Sequence, residues 1–128
     1  MAPHTMVESI AIEGLEEIKR AYDTTDLRAR LGRYHADPDS AFRGWNDIWL
    51  NPDFRSWDIG EYLPGITCPV LAIQGEDDHY GTMEHIEQIQ RAVPTTEVLE
   101  LKDCGHSPHR DRPELVIERV TRFVAGLT

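Results

Sequence analysis

The sequence predicts an α/β protein built in two parts, and three observations carry that reading. Residues 7 to about 63 show only helical periodicity, with no apolar–polar alternation of the kind a strand produces. From Pro64 the pattern changes, and "CPVLAIQG" is a short continuous apolar run bounded by Pro and Gly, as expected of a strand covered on both faces. A helical segment, a second short run and a last helical stripe follow. The order strand–helix–strand–helix predicts a right-handed parallel βαβ unit.

Taken in order, Val7, Ala11, Leu15, Ile18 and Tyr22 are spaced by three or four residues and predict an amphipathic first helix. A second, short helix is expected over 26–34, with Leu27 and Leu31 on one face. Pro38 and Asp39 open a third that carries Ala41, Trp45, Ile48 and Trp49 and breaks at Asn51-Pro52. Pro64-Gly65 is a turn and 70–74 the first strand. Met83, Ile86, Ile89 and Val93 mark the next helix, which ends at Pro94. "TEVLEL", 96–101, is the second strand. Asp111 and Glu114 have the spacing of a capping box, ahead of a stripe of Val116, Val120, Phe123, Val124 and Leu127. Two parallel strands make an unusually small sheet, so the unit reads as one edge of a larger one. The uncovered edge of strand 70–74 invites association.

Composition narrows the function. Thirteen basic against 23 acidic residues give a net charge of −10, which repels phosphate backbones and anionic lipid; no nucleic acid and no membrane is expected as partner. No stretch of 18 apolar residues occurs, and Glu8, Glu13, Glu16 and Glu17 sit where a signal peptide would need an apolar segment. Cys68 and Cys104 form no CxxC arrangement, so a reducing, cytoplasmic setting is the expectation.

Ligands of parallel α/β sheets bind beyond the carboxyl ends of the strands. Two loops lie there: "GEDDHYGT", 75–82, with Asp77, Asp78 and His79, and "KDCGHSPHRDR", 102–112, with Cys104, His106 and His109. Neighbouring parallel strands bring these loops together, so an aspartate and a histidine are expected in contact. A carboxylate that fixes an imidazole's tautomer and stabilises its charged form is half of a nucleophilic triad, with the imidazole as general base.

These residues resemble a family. "CPVLAIQGEDD" followed by "DCGHSPHRDRPE" is similar to the C-terminal third of an α/β-hydrolase, including its last helix. In that pattern the fourth position of G-x-x-D is the triad acid and the histidine after glycine the base. The resemblance therefore implies Asp78 as acid, ahead of Asp77, and His106 as base. It also implies that 1–63 is a helical lid or cap region and 64–128 a C-terminal βαβα segment of the hydrolase core. "MAPHT" would be the tail of the preceding core strand. Trp45, Trp49 and Trp57 are expected to pack within the lid and, as its aromatic wall, to bind substrate.

One departure from the family is decisive. No serine among Ser9, Ser40, Ser56 and Ser107 has glycine two positions before and two after, so the G-x-S-x-G elbow is missing. The expectation is a serine-hydrolase segment that supplies acid and base but no nucleophile. It would act on a small-molecule ester or carbonyl substrate only with a complementing N-terminal fragment. The alternative is a non-catalytic remnant that self-associates as a homo-oligomer. Cys104 lies too near His106 in sequence to align for attack. Asp77, Asp78, His79, His85, His106 and His109 lack the spacing of a zinc site, so neither metal nor cofactor is expected.

Overall fold

The computed structural model describes residues 1–127 and divides into two compact units. One spans Val7–Trp57; the other joins Met1–Met6 to the chain from Asp58 onward. The units part at Trp57 rather than at residue 63, and the first six residues belong with the strands.

The Val7–Trp57 unit holds α1 (Ser9–Thr24), α2 (Leu27–Leu31) and α3 (Pro38–Leu50), with a 3-10 turn at Pro52–Phe54. Helix α1 buries Ala11, Ile12, Leu15 and Tyr22 along one face. The start of α3 is set by chemistry at its first turn. The Asp37 side chain accepts from the Ser40 N–H, and Pro38 enters where no helical N–H is needed. The face that α3 buries differs from the expected one. Phe42 and Asn46 are inside, whereas Ala41 and Ile48 are exposed and Trp45 is 43% exposed. Two contacts decide this. The Phe42 ring stacks on Tyr22 at 3.9 Å, and the Asn46 amide donates to Leu15 O at 3.0 Å. Tyr22 in turn donates to Asp39, which Arg28 also holds through two N–H groups. The Arg28 guanidinium and the Tyr22 hydroxyl keep the Asp39 carboxyl well below the usual carboxylate range.

The second unit holds a 3-10 turn at Gly60–Gly65, β1 (Val70–Gly75), α4 (Glu84–Ala92), β2 (Thr96–Leu101), α5 (Pro108–Asp111) and α6 (Pro113–Ala125). The strands pair in parallel, from Val70 opposite Thr96 to Gly75 opposite Leu101. Side chains alternate between the two faces of such a ribbon. Ile73 and Leu101 pack with Cys104 and Val116 on one face, joined by Leu71 and Leu99. Val70 faces the other way, against Leu63, Ile89 and Val93. Covering on both faces is why β1 is apolar without interruption from Val70 to Ile73. Its outer edge is not bare, because the Ala2 N–H donates to Ile73 O at 2.8 Å.

Two further expectations need correction. Asp111 does not cap α6: the N-cap is Arg112, and no side chain bonds there. The stripe on α6 is also not a buried face. Val116 is inside, but Val124 is 55% and Leu127 52% exposed. A ribbon of two strands about 5 Å apart is narrower than a helix about 10 Å across, so it cannot cover a full helical face. Cys68 and Cys104 are both free thiols, and no helix among the described residues is long and apolar enough to cross a membrane.

The register of α3 can be tested directly. Phe42→Ala should destabilise by about 3 kcal/mol through cavity formation, while Trp45→Ala should cost less than about 1 kcal/mol. Urea midpoints of the two variants check it, and equal losses would put the buried face elsewhere.

Candidate active site

The two loops past the strand ends are zipped together by their backbones. The Glu76 N–H donates to Leu101 O at 2.9 Å and the Asp77 N–H to Cys104 O at 3.0 Å, extending the ladder beyond β1 and β2. This close passage explains Gly75. A Cβ placed there would lie 2.1 Å from Cys104 O and 2.6 Å from Gly105 O, both backbone atoms that cannot give way. The apolar strand ends in glycine because the neighbouring loop occupies the space.

Asp78 and His106 meet at the top of this zipper. His106 Nδ1 lies 2.8 Å from Asp78 Oδ2 and 3.0 Å from Oδ1. The carboxylate has two more donors: the Tyr80 N–H reaches Oδ1 at 2.9 Å, and the Gln74 amide reaches Oδ2 at 2.8 Å. The Asp78 side chain is 1% exposed and that of His106 40% exposed. Burial alone would push the Asp78 carboxyl up. The hydrogen bonds from His106, Tyr80 and Gln74, with the His106 charge, outweigh burial and hold it below its ordinary value. An ionised acceptor at Nδ1 fixes the proton on that nitrogen and leaves the lone pair on Nε2. Such a pair can take a proton at Nε2 and return it later.

The second loop has its own braces. Its turn passes through Asp103 in the left-handed region (φ 47°). Arg112 donates to Lys102 O and lies 3.3 Å from the Asp103 carboxylate. Asp111 accepts from the Gly105 N–H at 2.9 Å, directly before His106. This is what Asp111 does in place of capping. The His106 ring has Tyr80 edge-on at a 4.9 Å centroid distance and His4 tilted at 5.7 Å. His4 in turn packs on the fully buried His85, whose Nδ1 accepts from the Thr5 N–H at 3.2 Å.

Among the expected acids and histidines, Asp78 and His106 are brought together, while Asp77, His79 and His109 are exposed. His85 is held by Thr5 and His4. Among the described residues no group of three or more His, Cys, Asp or Glu is arranged to hold a metal ion. Burial, and then the Asp111 charge, push the Cys104 thiol up and keep it protonated, the opposite of what a nucleophile needs. In the Val7–Trp57 unit Trp49 and Trp57 cluster with Phe54, with ring centroids 5.2 to 5.6 Å apart. Trp45 stands apart, edge-on to Phe42. Sequence reading missed Gln74, Tyr80, His4 and Asp111. Only Gln74 left a signal there, as the one polar side chain in an apolar run.

Because the folded state holds the Asp78 carboxyl low, its ionisation stabilises the fold fully above the ordinary carboxyl value near 4. That stabilisation is lost as pH falls through the lower folded value. Asp78→Asn should therefore lose less stability than the unsubstituted chain between pH 7 and pH 3 in urea titrations. Parallel pH curves for the two proteins would contradict the assigned direction.

Residues 3–119 match the model of the Alpha/beta hydrolase family. The chain is 24% identical over 121 residues to a pimeloyl-[acyl-carrier protein] methyl ester esterase from Aromatoleum aromaticum, covering 92% of this chain and 46% of that protein. It thus spans about half the length of the curated relative it matches. Among solved structures, BpoC of Mycobacterium tuberculosis H37Rv, assigned as a non-heme bromoperoxidase, superposes with a TM-score of 0.64 at 24% identity; the match covers 100% of this chain and 57% of BpoC. A thermophilic esterase from Thermogutta terrifontis gives 0.58 at 17% identity, over 98% of this chain and 54% of the esterase. With a family match over nearly its whole length and a parallel strand pair delivering an aspartate to a histidine, the chain belongs to the alpha/beta hydrolase family.

Proposed function

We propose that Asp78 and His106 are the acid and base of a hydrolytic triad, and that the complete enzyme cleaves small esters. The observation that carries this reading is the 2.8 Å contact between His106 Nδ1 and the buried Asp78 carboxylate. In this reading Nε2 of His106 takes the proton from a serine hydroxyl as it attacks the ester carbonyl. Asp78 stabilises the imidazolium, which then protonates the departing alcohol. Water, activated by the same nitrogen, hydrolyses the acyl-enzyme. No serine of this chain has the G-x-S-x-G setting, so the nucleophile comes from outside residues 1–128. The ester is favoured over other carbonyl substrates because the curated relative above is named as a methyl ester esterase.

The helical part is proposed as the lid, and Trp45, Trp49 and Trp57 as substrate-binding residues. Support within that unit is the ring surface of the Trp49–Phe54–Trp57 cluster and the exposed Trp45 indole. A second reading, a non-catalytic chain that self-associates, draws on the exposed apolar residues Ile117, Val124 and Leu127 of the C-terminal segment. Light scattering on the eluting peak decides that reading: a monomer at micromolar concentration removes it.

Mixing the chain with an N-terminal fragment that carries a serine elbow should restore hydrolysis of a nitrophenyl ester. His106→Ala and Asp78→Asn should each lower the restored rate by at least about a thousandfold. A restored rate indifferent to His106→Ala would remove the assignment.

A further inference from the structure

Gln74 is the one polar residue of β1, and it is fully buried. Both hydrogens of its amide are engaged: one goes to Asp78 Oδ2 at 2.8 Å and the other to Gly81 O at 3.0 Å. Its carbonyl Oε1 has no hydrogen-bond partner among the described residues. A buried acceptor left without a partner is destabilising, and an apolar side chain of similar length would fill the same space without that penalty. Packing therefore does not account for a glutamine here. Nor is the amide free to turn over, since a flipped amide would set Oε1 against a carboxylate and a carbonyl, two acceptors.

We infer that Gln74 is a positioning residue for Asp78, whose amide locks the plane of the carboxylate toward His106 and ties it to the far end of its own loop. The geometry of the carboxylate supports this. Tyr80 N–H holds Oδ1 and Gln74 holds Oδ2, while His106 Nδ1 lies within reach of both oxygens. Rotation about the Cβ–Cγ bond would sacrifice one of the two outer bonds, so the side facing His106 stays fixed. The bond to Gly81 O anchors the same amide where the chain turns back. Gly81 itself is packed against other residues of the site, since a Cβ there would lie 2.8 Å from the His85 ring and 3.3 Å from that of His4. Gln74 contacts Asp78 and not the imidazole, so it acts through the acid.

The inference rests on reading Asp78 and His106 as acid and base, and nuclear magnetic resonance on the 128-residue chain tests it without needing activity. With 15N-labelled glutamine, the two Gln74 amide protons should shift as His106 titrates, with the same midpoint as the imidazole, while those of exposed Gln90 stay flat. Gln74→Leu should speed exchange of the His106 Nδ1 proton about tenfold and lower the melting temperature, since the Asp78 carboxylate and Gly81 O each lose a buried donor. Gln74 signals that ignore the His106 titration would overturn the inference, and this measurement needs no variant to fold. An unchanged Nδ1 exchange rate in folded Gln74→Leu would do the same. In the complemented enzyme Gln74→Leu should lower kcat about tenfold at unchanged KM. If the resonance results hold but His106→Ala and Asp78→Asn leave the complemented rate intact, the acid–base reading falls first and takes the catalytic purpose of Gln74 with it.

Discussion

Parallel strands of matched length, held in register from Val70–Thr96 to Gly75–Leu101, put two loops side by side at the same end of the ribbon. The ladder continues through Glu76 and Asp77 into the second loop. Residues beyond the strand ends therefore inherit the precision of the strands themselves. Gly75 is the condition for this, since any side chain there would push the loops apart. The Asp78–His106 contact is downstream of that single close approach.

The site also shows how a carboxylate can be buried and yet remain ionised. A desolvated carboxyl favours its protonated form unless donors replace the lost water. Here three donors converge on two oxygens, and together they reverse the effect of burial. Only the imidazole side stays partly open, which is where a proton-transfer partner would need access. In the proposed mechanism the rigid carboxylate and the accessible imidazole divide the work: one orients and stabilises, the other carries the proton. Cys104, two residues from His106, is buried in the apolar cluster beneath the ribbon and serves packing.

Much of this was legible along the chain. Both strands and the helices between and after them follow from apolar spacing, because spacing records which face meets a core. β2 falls on "TEVLEL" as expected. What misled the reading was partnership. Ala41, Trp45 and Ile48 have helical spacing, yet Phe42 and Asn46 are inside, because stacking on Tyr22 and a bond to Leu15 O outweigh the larger indole. Asp111 has the spacing of a capping residue, yet its carboxylate accepts from the Gly105 N–H, six residues back in the same loop. Local pattern cannot rank such competitors, since the winning partner lies at a distance set by the fold.

By itself, then, the sequence determined the α/β class, the two strand tips as neighbouring loops, and the aspartate and histidine that meet there, because period, punctuation and motif order are local properties. Only the tertiary structure decided that Gln74 and Tyr80 complete the carboxylate's shell, that His4 and Tyr80 flank the imidazole, and that the first six residues pack beside β1. Those contacts join positions far apart in the chain or turn on side-chain direction, and hydrogen-bond satisfaction in a buried space is settled by geometry in three dimensions.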